Sequence, residues 1–370
     1  RFFGVRFLKG RIVVGVWLRR SVFLRGFCIA GGVAQGKPNS VGIDMVKIPA
    51  GTFLMGNSTC QVEVKVTTRS CAMVPPCPKD DLFTSVDESA GCTSKEVCED
   101  KTVIRTHHWR EYQAVVAEAG IANDATNYSI GWKLNTTDWT SVNSESCPPH
   151  KVTLRQAFLL STTEVTQKQW AIVMGTNPSK FQSNTLGYRS ENNPVETVSW
   201  LDAIKFANAL SEKEGFPACY DDQGTVIGGP TVYACTGYRL PTEAEWERAA
   251  RAGTKGIRYG KLNDIAWYLR NSGEKTHPVG KKKSNAFGLY DMLGNVWEWC
   301  HDTYGNYPVD SQVNPHGSKS GHHVLRGGAF WTSAGGTTAL FRPDTVFWVV
   351  MGGQVHSAAL SGFRLARSAP

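Results

Sequence analysis

The stretch LRGGAFWTSAGGTTALFR, residues 325–342, gathers two glycine pairs, two adjacent aromatics, four hydroxyl side chains and the arginines Arg326 and Arg342. Arginine forks recognise carboxylates, phosphates and carbonyls, and a hydroxyl becomes a nucleophile only beside a base. The stretch holds no histidine, cysteine or acid, so it carries no base of its own. A second candidate is GNVWEW, residues 294–299. Its Gly-Asn pair suits a turn with positive φ. The alternation after it predicts Trp297 and Trp299 on one strand face and the Glu298 carboxylate on the other. Arg239, Arg326 and Arg364 each lie beside glycine or a strand edge and are expected to tie loop carbonyls and carboxylates together. The pairs His107-His108 and His322-His323 point to opposite sides of a strand and read as surface histidines rather than metal ligands. Asp302 and Asp310 flank a Tyr- and Pro-rich loop and are accounted for as solvated. No G-x-S-x-G elbow, H-E-x-x-H helix or phosphate-binding glycine loop ending in Lys-Ser/Thr occurs.

Cysteine chemistry is the other resource. Of ten cysteines, Cys60, Cys71, Cys77, Cys92, Cys98 and Cys147 crowd one window, and Cys219 and Cys235 bracket a glycine-rich turn. Zinc sites use close pairs such as C-x2-C, which these spacings lack, so disulfides are favoured, and with them an extracytoplasmic or secreted location. The net charge is +8, yet residues 1–36 hold seven basic side chains and no acid, leaving +1 for the rest. That distribution excludes a nucleic-acid-binding body. Within 1–36, Arg19-Arg20, a short apolar stretch and Gly32-Val33-Ala34 resemble an export signal. Apolar runs are too short for a transmembrane span.

The elements that must position these groups are legible in part. VGIDMVKIPAGTFLMGN, from Val41, has the pattern of a hairpin. Residues 57–149 change to a polar, cysteine-rich composition and read as an insertion with one helix near His108–Glu118. KVTLRQAFLLSTTEV, from Lys151, reads as an alternating strand. Helices are predicted after Thr166, Ser199 and Thr242, each with a Gln, Asp or Glu three positions on, and stops at Gly175, Gly215 and Gly253. In the second, Leu201, Ile204 and Ala207 are expected to share the buried face. Beyond Gly253 only turns and short aromatic-bearing strands are expected.

Seven segments in order, MVKIPAGTFLMG (45–56), EVTQKQW (164–170), NPVETVSWLDAIKFAN (193–208), GYRLPTEAEWERAARAG (237–253), HPVGKKKSNAFGLYDMLGNVWEWC (277–300), VLRGGAF (324–330) and GFRLAR (362–367), resemble the formylglycine-generating, sulfatase-modifying enzyme family. The resemblance implies an α+β fold, a variant of the C-type lectin fold low in regular secondary structure. It assigns 41–56 and 150–370 to that domain, with 57–149 as a disulfide-rich insertion and 1–36 as an N-terminal segment. It further implies a calcium ion held by the side chains of Asp291 and Glu298 and the carbonyls of Gly294 and Val296, hard oxygen ligands of the kind calcium takes. The competing reading is that Glu298 pairs with a nearby arginine. The family's oxidation of a protein cysteine uses two thiolates that bind copper(I) just after R-G-G, and those positions fall on Thr332 and Thr337 here. Hydroxyls do not replace soft thiolates at copper(I), so copper is not expected. No catalytic residue is assigned.

Members of the fold diversified by retroelements bind ligands through the interval between R-G-G and G-F-R. On that resemblance Phe330, Trp331, Thr332, Thr337, Arg342, Trp348 and His356 are the expected ligand face, for a protein or glycan partner. Continuous apolarity in TVFWVVM (345–351) also fits a buried strand. The expectation is therefore a bacterial, exported, non-catalytic binding member of the family. The alternative is a metal-dependent oxidoreductase of the same family acting on a protein cysteine.

Overall fold

A computed structural model of the chain describes residues 38–57, 146–182, 189–227, 229–317, 321–343 and 361–369, together with the backbone of 6–8, 11–13, 60–74, 95–108, 126–134, 349–351 and 354–356. The chain divides into two units, Arg1–Ala34 and Gln35–Pro370. In the first, β1 (Arg6–Leu8) pairs antiparallel with β2 (Arg11–Val13). The export-signal features of residues 14–34 lie outside the described residues.

The second unit is built from short sheets. The strands β3 (Met45–Ile48) and β4 (Gly51–Met55) do not pair with each other as the hairpin pattern predicts. Instead β4 pairs with β8 (His150–Leu154), and β3 pairs with β9 (Phe158–Ser161). The continuous strand expected from Lys151 is thus two strands. The Pro-Ala turn is splayed because Arg248 donates from Nε to the Pro49 carbonyl (2.9 Å) and from Nη2 to the Ala50 carbonyl (3.0 Å). At Gly51 a Cβ would come within 2.7 Å of the Arg248 guanidinium, so the approach depends on glycine.

Between β4 and β8 lies a three-stranded antiparallel sheet with β5 (Cys60–Val74) flanked by β6 (Lys95–His108) and β7 (Thr126–Leu134). Long strands therefore stand where the sequence analysis expected few periodic runs. The helix expected near His108–Glu118 falls outside the described residues, apart from His108, which ends β6.

The three helices form where their caps place them. Helix α1 (Gln167–Met174) and α2 (Trp200–Lys213) begin on complete capping boxes at Thr166 and Ser199. Helix α3 (Glu243–Arg251) begins on a third at Thr242. In each, the cap hydroxyl accepts a backbone N–H three residues on while that residue's side chain accepts the cap's own N–H. Gly175 ends α1 in the left-handed region, but α3 makes that turn at Ala252, one residue before the expected glycine. Beyond Gly253 only the four-residue α4 (Leu262–Ile265) is added. On α2, Ile204 and Ala207 are buried, whereas Leu201 is 42% exposed because the buried arc runs instead through Trp200, Ala203, Phe206 and Leu210.

The core gathers on this α2 face. Trp170 of α1 stacks on Phe206 with ring centroids 5.3 Å apart, and Phe363 meets both edge-on. Strand β10 (Trp297–Thr303) closes it from the other side, paired with β12 (His323–Arg326) and β15 (Ser361–Gly362). β11 (Gln312–Val313) extends the β8–β4 sheet, and β16 (Ala366–Ser368) the β9–β3 sheet. β13 (Val349–Met351) and β14 (Gln354–His356) form a two-stranded ribbon. Cys219 and Cys235 are disulfide-bonded, closing the glycine-rich loop as its spacing suggests, and Cys147 is bonded as well. No described helix is long and apolar enough to cross a membrane.

Candidate functional site

Helix α3 supplies the site's foundation. Its sequence EAEWERAAR turns Glu243, Glu245 and Glu247 inward, and each of the three is buried. Burying carboxylates requires partners, and arginines from distant segments provide them. Arg239 grips Glu245 with a two-pronged fork at 2.7 and 2.8 Å. Arg326 reaches Glu247 at 2.5 Å and also donates to the carbonyls of Ala339, Leu340 and Phe341. Arg342 binds both oxygens of Glu243, at 2.5 and 3.0 Å, and the Gly305 carbonyl at 3.0 Å. Its guanidinium lies 4.0 Å from the Tyr307 ring centroid and 4.6 Å from that of Tyr304. Arg239 and Arg326 thus tie backbone to carboxylate as expected, and Arg342, expected on the ligand face, joins Arg326 in fastening the loop 326–342 to α3.

The same loop disposes of its hydroxyls internally. Thr332 Oγ1 accepts the Ala329 N–H at 2.9 Å, and Thr337 Oγ1 donates to the Ser333 carbonyl at 2.9 Å. Both threonines are buried, as are Phe330 and Arg342, while Trp331 is half-buried. Most of the expected ligand face is therefore the loop's interior. The reason is the arginine forks, which draw the backbone carbonyls and their side chains down onto α3. Trp348 lies outside the described residues, and His356 is described only as the end of β14.

Glu298 of GNVWEW does not present a carboxylate to solvent. It is as buried as Trp297 and Trp299, because β10 is the middle strand of its sheet and α3 covers the second face. Its Oε2 accepts from Arg364 Nε and Trp246 Nε1, both at 2.7 Å, and its Oε1 from Arg364 Nη2 at 2.7 Å. Arg364 also holds the Ser161 and Tyr290 carbonyls. Glu164 joins the cluster, accepting from Asn295 Nδ2 at 2.8 Å and the Val296 N–H at 3.2 Å. Gly294 has φ 82°, and a Cβ there would meet the Trp267 carbonyl at 2.2 Å, so only glycine fits the turn. Asp291 Oδ2 accepts the Gly280 N–H at 2.6 Å, whereas its buried Oδ1 has no partner.

Three carboxyls thus face one guanidinium. Burial, reinforced by the neighbouring carboxylates, raises Asp291 to about 6 and pushes Glu164 well above the ordinary range. Glu298 is forked to Arg364, the competing reading given above, so the calcium ligand set implied by the resemblance is available only in part. Asp291 Oδ1 is open, Glu298 Oε1 keeps one of its two lone pairs, and the cluster's negative charge exceeds its positive. Among the described residues no group of three or more His, Cys, Asp or Glu side chains could hold a metal alone, so the carbonyls of Gly294 and Val296 would have to share the ion.

Cys300, the free cysteine among the described residues, follows directly on this strand. Burial, then the nearby Glu243 and Asp302, pushes its thiol well above the ordinary range, the opposite of a reactive thiolate. His322 and His323 are not surface histidines: His323 stacks on Trp200 at 3.6 Å and His322 on Tyr304 at 5.0 Å. The side chains of His107 and His108 lie outside the described residues. Asp302 is buried rather than solvated, because its Oδ2 accepts the Glu243 N–H at 2.8 Å and caps the start of α3. Sequence reasoning missed it, together with His150, a buried imidazole edge-on to Tyr307 at 4.8 Å. Both line a cavity of about 460 Å³ beside the Glu243–Arg342 pair.

Comparison with known proteins agrees with this architecture. The model of the sulfatase-modifying factor enzyme 1-like domain matches residues 106–369. A chaperone protein LppX of Paenibacillus barcinonensis is 35% identical over half of this chain and 73% of its own length. A formylglycine-generating enzyme of Streptomyces coelicolor is 34% identical over 44% of this chain, which spans only half of that enzyme. Among solved structures, Treponema denticola variable protein 1 superposes with a TM-score of 0.51 and 38% identity, over 63% of this chain and 90% of that one. PvdO from Pseudomonas aeruginosa, 20% identical, matches in fold, with a TM-score of 0.52 over 91% of this chain and 99% of that one. With the ordered motifs, the α3–arginine frame and these matches in hand, the chain belongs to the formylglycine-generating, sulfatase-modifying factor family.

Proposed function

We propose that this protein is an exported, binding member of its family, carrying a protein or glycan ligand, and that it does not oxidise cysteine through copper. The observation that carries this reading is the use of Thr332 and Thr337. At the two positions where the resemblance requires thiolates, both hydroxyls are spent on closing the loop. A thiolate pair offers copper(I) soft donors; a hydroxyl bonded to a carbonyl offers it none. Cys300 is an unsuitable substitute, buried and biased toward the thiol. The arginine forks favour binding because they hold a loop scaffold rigid before any ligand arrives. One relative is named a chaperone, so the family's known members are not all named as oxidases. The bonded Cys219, Cys235 and Cys147 support an oxidising compartment.

The test is direct. Purified protein is incubated with copper(I), oxygen and a cysteine-containing peptide, and aldehyde is measured by mass spectrometry. No aldehyde is expected. Turnover at the level of a family oxidase run in parallel would refute the binding reading and restore the oxidoreductase alternative.

Calcium belongs to the same proposal as a structural ion held by Asp291, Glu298 and the carbonyls of Gly294 and Val296. An ion bound only to the folded state stabilises it by mass action, about 2.7 kcal/mol at a hundredfold excess over Kd. Adding a calcium chelator is therefore expected to lower Tm by several degrees, and calcium but not sodium to restore it. An unchanged Tm, with no calcium found by elemental analysis, would remove the ion from the proposal.

A further inference from the structure

The cavity beside Glu243 and Arg342 is formed by the loop 303–317 on one side and by the β4–β8 sheet end, at Met55 and His150, on the other. Its volume of about 460 Å³ lies in the range of small-molecule sites. Its chemistry narrows what it takes. Among the described residues that line it, Arg342 is the one arginine and none is a lysine, and that guanidinium is already forked to Glu243 between two tyrosine rings. A phosphate or carboxylate would find no unpaired arginine or lysine among the described lining residues and would face Glu243 and Asp302. A cationic ligand would find its place among the carboxylate, the Gly305 carbonyl and the rings already filled by Arg342. An apolar ligand would have to strip water from polar walls without replacing its hydrogen bonds, which costs free energy.

What remains on offer is uncharged and mixed. Asn306 is exposed at the rim, and Asn314, whose Oδ1 accepts the Arg155 N–H, keeps its amide donors. Asp302 gives one oxygen to Glu243 N–H and lines the cavity. Beside these donors and acceptors lie the small apolar faces of Pro315 and Val313, the latter 49% exposed. Alternating hydroxyls and C–H faces are the pattern that such a wall complements.

We propose that this pocket, between the loop 303–317 and the Glu243–Arg342 pair, binds an uncharged sugar. The inference rests on the binding role proposed above and supplies that role with its site and ligand class. Because Arg342 holds both the Gly305 carbonyl and α3, the pocket is fastened to the 326–342 loop and shares its rigid base.

The probes are the methyl glycosides of glucose, galactose, mannose and N-acetylglucosamine and their common disaccharides, titrated against the full chain by saturation-transfer NMR and calorimetry. At least one is expected to bind, with an affinity unchanged between low and high salt, as for a neutral ligand. Asn306→Ala should weaken that binding roughly 5–10-fold, the loss of one hydrogen bond. Asp302→Asn, which can keep the bond to Glu243 N–H but turns an amide donor to the cavity, should weaken it by no more than one hydrogen bond, roughly 5–10-fold, and leave it independent of salt if the ligand is uncharged. Val313→Arg, at an exposed position that burdens no core packing, should abolish it by filling the mouth. The proposal is overturned if no glycoside binds to protein of native Tm. It is equally overturned if arginine amide binds instead, with strong salt dependence and loss in Asp302→Asn, or if inorganic phosphate binds with strong salt dependence. The aldehyde assay on the same preparation separates the two failures. Aldehyde production defeats the binding role, whereas its absence together with silent glycosides defeats only the sugar assignment.

Discussion

Replacing Arg364 by alanine is expected to destabilise the domain by roughly 3–5 kcal/mol, the usual cost of stranding a buried charge. Arg364 is fully buried, and four of its five N–H donors are used, two on Glu298 and one each on the Ser161 and Tyr290 carbonyls. Its removal leaves Glu298 beside Glu164 and Asp291 with no guanidinium among them, so repulsion adds to desolvation. For a domain of this size the corresponding fall in Tm is on the order of 10 °C. Arg364→Lys retains the charge but not the fork, and should recover only part of the loss. Thermal denaturation at neutral pH checks both. A shift in Arg364→Ala no larger than that of an exposed arginine variant such as Arg270→Ala would show that the cluster is not held by this residue.

The second large effect is a gain. Thr332→Cys with Thr337→Cys is expected to create a copper(I) site of two thiolates where the wild-type chain presents two hydroxyls. The two positions flank one turn of the loop: a Cβ at Gly336 would lie 2.7 Å from Thr332 Cγ2, and Thr337 follows directly. Cysteine is close to threonine in size, so both replacements suit their buried positions, although each gives up a hydroxyl hydrogen bond of about 1 kcal/mol. Stoichiometric copper(I), measured by competition with a chromophoric chelator, should appear in the double variant and fall away steeply in either single one. If the wild-type chain bound copper(I) as tightly as the double variant, the threonines would not be what separates this protein from the copper-dependent members.

The helices were legible because their information is local. A hydroxyl cap and an acid or amide three residues later satisfy each other whatever the rest of the chain does, and Thr166, Ser199 and Thr242 all do so. The β3–β4 hairpin was misleading because its turn carbonyls are claimed by Arg248, from a helix nearly two hundred residues away in the chain. The insertion sheet left a signal that could have been used: Val62, Val64 and Val66 alternate with Glu63 and Lys65, a strand period inside a segment judged by its cysteines. Asp302, His150 and the inward acids of α3 were the hardest to see. A charged residue is a surface residue by default, and nothing in EAEWERAAR announces that arginines 239, 326 and 342 will arrive to cover it. The loop 326–342 shows the same asymmetry. Its motif located the frame, but the direction in which Phe330, Thr332 and Thr337 point depends on the acids of α3, outside the motif, that Arg326 and Arg342 grip.

The register of β4 with β8 has a further consequence. Met55 and His150 are directly opposed Cα partners, and one step beyond them Asn57 N–H meets the Ser146 carbonyl at 2.9 Å. The chain therefore departs from this sheet at Asn57 and returns to it at Ser146 through adjacent points. The entropic cost of closing such an excursion grows only with the logarithm of its length. A change in the length of chain between those two points is therefore expected to cost little, leaving the α3–arginine frame and the pocket beside His150 with the geometry they have.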